Sequence, residues 1–226
     1  MNHHKLIWTL QSNFPKEWEN KLLDNNLILD HSPLVKLVQT KEVDSILLSV
    51  KENSNVIITS PFAAKIIASK INHSCNFFVV GNKSKMILEN QGFNVVKISN
   101  TARELSDWVK TKNNDTFIHL CSELTDKKIW HSNVIYTPFY KPIDNNKFDA
   151  SIYKDLNNCT IIFGSPSGVD VWFRNINHIP TCNYACMGET TANRILDYTN
   201  ENVIFPDDSS IETLIKLITE KKYENK

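Results

Sequence analysis

Glycine is scarce in this chain, five in 226 residues, and they form neither a G-x-G-x-x-G nor a G-x-x-x-x-G-K-[ST] pattern. The usual dinucleotide and P-loop cradles are therefore excluded. Net charge is also missing, because 25 basic residues balance 25 acidic ones. No overall field would hold a nucleic acid or an anionic membrane, and any anionic ligand must be caught locally. No stretch of eighteen apolar residues occurs, which excludes a membrane-spanning helix of ordinary length. Met1 to Lys5 lead straight into the strand-like Leu6-Ile7-Trp8 without the apolar core of a signal peptide. A soluble, cytoplasmic protein is predicted, with no nucleic-acid or membrane partner. Cysteine is sparse and odd in number: Cys75, Cys121, Cys159, Cys182 and Cys186 are scattered, a pattern that predicts reduced thiols rather than a disulfide framework. Cys182 and Cys186 with nearby His178 lack an evident fourth ligand, and the other histidines lack paired spacing, so no metal site is expected.

What the chain does contain is the same statement made twice, about 105 residues apart. Val56-Ile57-Ile58-Thr59-Ser60-Pro61 reappears as Ile161-Ile162-Phe163-Gly164-Ser165-Pro166, each an apolar strand stopping at Ser-Pro. Phe77 to Ser84 answers to Tyr184 to Thr191, a strand ending in glycine and then hydroxyl residues that open a helix. Thr101 to Glu104 and Ser209 to Glu212 both read as capping boxes. Two similar α/β units are predicted, with function in the matching loops.

The second copy reaches the chain's end with strands only near Ile162, Ala185 and Ile204, while those near Ile7 and Ile28 lack a sheet. The economical arrangement joins these strands to the second copy. It predicts a discontinuous α/β domain from 1–33 plus 142–226, an inserted domain at 40–132, and connecting strands at 34–39 and 133–141 that pair as a narrow hinge. A helix after Pro15 and another near Ala150 to Leu156 are expected as well.

A strand that ends in Ser-Pro or in Gly-x-x-Ser/Thr and enters a helix leaves unpaired N–H groups and short hydroxyls at one spot, which favours anions. Gly81, Gly164, Gly168 and Gly188 all fall in these loops. The same residues are also ordinary helix caps; it is their occurrence in matched positions that points to a ligand. Ser167 resembles a nucleophile elbow only loosely, and no His and carboxylate pair is placed to support a hydrolase triad.

With these residues in view the chain resembles the uroporphyrinogen-III synthase family. The matching pieces are Ile57 to Pro61, Val80 to Ser84, Gln91-Gly92-Phe93, Val134-Ile135-Tyr136, Ile162 to Gly168 and Met187 to Ala192, whose order and spacing carry the likeness. The resemblance implies two flavodoxin-like domains joined by a two-stranded ladder, with an active site in the cleft between them, and no metal or organic cofactor. It implies a monomeric enzyme that closes the octacarboxylate hydroxymethylbilane, handed over by hydroxymethylbilane synthase, with inversion of ring D and loss of water. Substrate would be bound by Thr9, Ser60, Ser84, Ser165, Ser167, Gly168, Thr190 and Thr191, and Tyr136 would supply a proton to the departing ring-A hydroxyl. The chain departs from the family pattern at Thr9-Leu10-Gln11, where Thr-Arg-Pro is common, and in the short segment Phe117 to Asn133. A two-lobed anion-binding or sensor protein without catalysis, or a flavodoxin-like domain holding a nucleotide or flavin, is the competing expectation.

Overall fold

A computed structural model describes residues 4–153, 158–176, 180–208 and 210–224. The chain divides into two compact units, Met1–Lys36 with Ile143–Lys226, and Leu37–Pro142. Each is built on a sheet with parallel pairing.

In the first unit, β1 (His4–Trp8), β2 (Leu27–His31), β9 (Cys159–Phe163), β10 (Asn183–Cys186) and β11 (Val203–Ile204) lie in the order β11-β10-β9-β1-β2. Trp8 pairs beside Ile162 on one side and His31 on the other, so the strands that open the chain complete the sheet of its last third. Side chains alternate across a strand, and both faces are apolar. Ile7, Ile161, Phe163 and Tyr184 pack with Val169 and Trp172 of α6 (Pro166–Asn175) and Ala192 and Ile195 of α7 (Glu189–Leu196). Leu6, Trp8, Ile162 and Ala185 pack with Leu22 of α1 (Glu19–Asp24) and Leu214, Ile215 and Ile218 of α8 (Ile211–Glu224). The sheet is thereby covered on each face.

In the second unit the order is β3-β8-β7-β4-β5-β6, formed by β3 (Val35–Gln39), β4 (Asn55–Ile58), β5 (Asn76–Val80), β6 (Asn94–Ser99), β7 (Phe117–Ser122) and β8 (Val134–Asp144). Val56, Ile58, Phe77 and Val79 meet Leu47 of α2 (Val43–Ser49), Ala64 and Ile67 of α3 (Pro61–Lys70) and Leu88 of α4 (Asn82–Glu89). On the other face Ile57, Phe78 and Phe117 meet Leu105 and Val109 of α5 (Ala102–Lys110), together with Trp130. The connecting strand β8 runs parallel to β7 from Val134 to Tyr140, and β3 is its other neighbour in the sheet. Backbone bonds from Thr40 to the Phe139 carbonyl and from Asn145 to the Leu34 carbonyl flank β3, so β3 runs along the last residues of β8, most of them past its pairing with β7.

The capping signals behave as their chemistry requires. Thr101 Oγ1 accepts from the Glu104 amide at 3.1 Å, and Glu104 reaches back to the Asn100 amide. At the matching place Ser209 lies outside the described residues, and the cap of α8 is Ser210, accepting from the Thr213 amide at 3.4 Å. Of the helix expected from Ala150 to Leu156, Ala150–Tyr153 form a 3₁₀ turn; residues 154–157 lie outside the described residues.

Reduced thiols throughout were the expectation, and this is corrected: Cys159 and Cys182 form a disulfide, with Cα atoms 5.4 Å apart. Register explains it. Asn183 pairs with Thr160, so the residue before each strand's pairing partner falls beside its counterpart. Closing a loop across 23 residues restricts the unfolded chain by about 3 kcal/mol. Cys75, Cys121 and Cys186 are free and buried. Cys182 is thereby removed as a metal ligand, and His178 lies outside the described residues. Among the described residues no helix is long and apolar enough to cross a membrane.

Candidate active site

In parallel α/β sheets ligands bind beyond the carboxyl ends of the strands, and the repeated loops occupy those ends in both units. In the first unit, β9 leaves its last residue and turns at Gly164-Ser165-Pro166. Ser165 is extended and caps α6, its Oγ accepting from the Gly168 amide at 3.4 Å and lying 3.0 Å from Ser167 Oγ. Pro166 begins the helix without needing an N–H donor. A Cβ on Gly164 would lie 2.5 Å from Leu10 Cγ, so glycine lets Leu10 fold over the turn. The neighbouring strand β10, with Cys186 paired to Phe163, leads through Gly188 into α7, where Thr190 is exposed and Thr191 buried. The structure thus brings Ser165, Ser167, Gly168, Thr190 and Thr191 to adjacent strand ends. Thr9 is placed differently: it is buried, and its hydroxyl donates to the Ile162 carbonyl at 2.6 Å. That hydroxyl ties β1 to β9.

In the second unit, Ser60 caps α3 in the same way, accepting from the Phe62 amide at 3.2 Å. It also hydrogen-bonds Tyr140, whose phenol is pushed up by burial against that bond. The next strand ends at Gly81, whose φ of +79° lies in the left-handed region that glycine enters without a Cβ penalty. Ser84, three residues on, is fully buried and its hydroxyl has no partner among the described residues, so it is closed off from solvent at the loop mouth.

Tyr136 stands on β8 with its register partner His119 on β7. Its hydroxyl donates to the Asp126 carbonyl at 3.3 Å, a long bond that a better acceptor would replace, and Lys127 Nζ lies 5.5 Å from the ring centre. Burial first, then Cys121 and Asp126, push the phenol up to about 12. Tyr136 therefore keeps its proton at neutral pH and acts as a hydrogen-bond donor or weak acid.

His119 is one of the histidines whose spacing in the sequence points to no metal site, and the sequence does not single it out. It is fully buried, with Nε2 3.2 Å from Thr59 Oγ1 and its ring 4.6 Å from Trp130 and 5.6 Å from Tyr136. Desolvation pushes the imidazole down to about 4, so it is neutral in the folded protein at pH 7. An unfolded histidine takes up a proton near pH 6.5. Between those values the unfolded state binds more protons, and stability falls as the pH drops from 6.5 towards 4, by about 3 kcal/mol from this group. Urea midpoints measured across this window are expected to decline more steeply for the parent chain than for His119→Phe; parallel declines would show that His119 is not the responsible group.

Asp30, Ser32 and Tyr153 form a second polar cluster unforeseen in the sequence, at the end of β2. Tyr153 donates to Asp30 at 3.2 Å and is bonded to Ser32, and burial pushes its phenol up to about 12. Among the described residues no group of three or more His, Cys, Asp or Glu side chains is placed to hold a metal ion.

Against this geometry, the family model described as uroporphyrinogen-III synthase HemD matches residues 16–216. The chain belongs to that family. The activity that goes with the family is uroporphyrinogen-III synthesis, a cyclising lyase reaction of tetrapyrrole biosynthesis. The crystal structure of uroporphyrinogen-III synthetase from Helicobacter pylori 26695 is similar with a TM-score of 0.66 at 11% identity, over 96% of this chain and 99% of that one. A mutant uroporphyrinogen III synthase from the extremely thermophilic bacterium Thermus thermophilus gives 0.58 at 8% identity, over 97% and 98%. At these identities the likeness concerns the fold. A comparison with curated proteins found no match.

Proposed function

We propose that this chain cyclises hydroxymethylbilane through the strand-end loops of its two units. Each unit is read as a flavodoxin-like domain, and β3 and β8 as the connection on which they move; the first unit's order, β2-β1-β9-β10-β11, is the 2-1-3-4-5 order of that fold. The observation that carries the reading is the doubled Ser-Pro cap, Ser60 on α3 and Ser165 on α6, within a chain of this family. Capping hydroxyls and first-turn amides suit carboxylates. In a chain without net charge, the eight carboxylates of the substrate are held by many neutral donors rather than by a cluster of arginines. Ser60, Ser165, Ser167, Gly168, Thr190 and Thr191 supply these contacts.

Tyr136 donates its phenolic proton to the ring-A hydroxyl as that C–O bond breaks. Water leaves, the ring-A pyrrole N–H gives its proton back to the phenolate as the azafulvene forms, and ring D attacks through its substituted carbon to give the spiro intermediate whose opening inverts the ring. Most of the remaining acceleration comes from holding the chain ends in the geometry for inverted closure.

The test supplies the purified protein with hydroxymethylbilane made in situ by hydroxymethylbilane synthase and separates the oxidised products by isomer. Type III product in clear excess over type I is expected. Type I alone, as in the uncatalysed closure, would refute the reading, and binding without turnover would favour a sensor.

A further inference from the structure

We propose that His119 sets the direction of the Thr59 hydroxyl, making it a hydrogen-bond donor for a carboxylate of the substrate. The inference rests on the site reading above and adds a positioning residue to it.

A neutral imidazole carries one N–H and one bare lone pair, so the surroundings of its two nitrogens decide which is which. Nε2 lies 3.2 Å from Thr59 Oγ1, an atom able to give or accept. Nδ1 is buried and has no hydrogen-bond partner among the described residues. The nearest ring is Trp130, 4.6 Å away between ring centres. Its indole N–H is itself buried without a partner, and an indole offers a donor only. An N–H placed at Nδ1 would therefore be an orphaned buried donor, with no acceptor offered by the neighbouring indole. Orphaned buried N–H groups are rarer than bare acceptors, so the proton belongs on Nε2, which donates to Thr59 Oγ1. With its oxygen accepting from His119, Thr59 must turn its own O–H elsewhere. Thr59 is half-buried at the end of β4, next to the Ser60 cap, at the strand ends assigned to the ligand. A hydroxyl forced to donate suits an acceptor-only group, which is what an ionised carboxylate is.

Two measurements on the full chain test this. In [15N]histidine-labelled protein, two-bond 1H–15N correlation spectra distinguish the tautomers, and the His119 signals are assigned by their loss in His119→Gln. The Nε2–H tautomer is expected from pH 6 to 8; an Nδ1–H tautomer or an imidazolium would overturn the proposal, whatever the enzyme's activity. In the isomer assay, Thr59→Val and His119→Leu are each expected to raise KM for hydroxymethylbilane about 10-fold with kcat changed far less, as for loss of one charge-assisted hydrogen bond. Thr59→Ser should restore the parent KM. Because both residues act through one hydroxyl, the double variant should be no worse than the worse single one; fully additive losses, or an unaltered KM in Thr59→Val, would overturn it. Absence of type III product from the parent chain would instead refute the site reading and leave the tautomer result standing.

Discussion

Purified Tyr136→Phe is expected to convert hydroxymethylbilane about 10²-fold more slowly than the parent chain, the lower range for loss of a positioned general acid. KM should change little, because the ring and its packing remain. The geometry makes this substitution clean: the phenol donates at 3.3 Å to the Asp126 carbonyl, and removing the hydroxyl leaves that acceptor near solvent rather than stranded. A phenol held up at about 12 does not ionise near neutrality, so the rate should show no acid-base break attributable to Tyr136 between about pH 6 and 9. Unaltered turnover by Tyr136→Phe would reduce this residue to packing and leave conformational control as the whole of catalysis.

Trp172→Ala is expected to destabilise the protein by about 3–5 kcal/mol, the usual cost of emptying a large aromatic site. Trp172 is fully buried and lies 5.3 Å from Tyr153, 5.8 Å from Phe148 and 6.2 Å from Phe163 between ring centres. It is the keystone between α6 and its sheet, and α6 carries the Ser165 turn, so activity should fall with stability. Trp172→Phe should retain most of the stability, because the indole N–H has no partner among the described residues and its removal strands nothing. Urea unfolding of both variants checks the pair; a loss below about 1 kcal/mol in Trp172→Ala would mean that the neighbouring rings close the gap.

Much of this was legible in the linear chain because it depends on local chemistry. Ser-Pro after an apolar run caps a helix wherever it occurs, and Ser60 and Ser165 both do so. Glycine stands at the start of α4 and α7, there without a side-chain cap bond. What was not legible depends on register and depth. Ser84 and Thr9 read as loop hydroxyls, yet one is closed off from solvent and the other binds the Ile162 carbonyl. The spacing of Cys159 and Cys182 says nothing of a bond until β9 and β10 are aligned. Nothing in the spacing of the histidines singles out His119; its interest comes from Thr59, sixty residues earlier in the chain.

By itself, then, the sequence determined the local events: where strands stop, which residues cap the helices after them, and that this pattern occurs twice, since each depends on only a few neighbouring residues. Tertiary structure alone decided which hydroxyls remain available, which cysteines meet, and which nitrogen of His119 finds a partner. Those outcomes depend on strand pairing between residues far apart in the chain, and on the loss of water that makes an unpartnered polar atom costly.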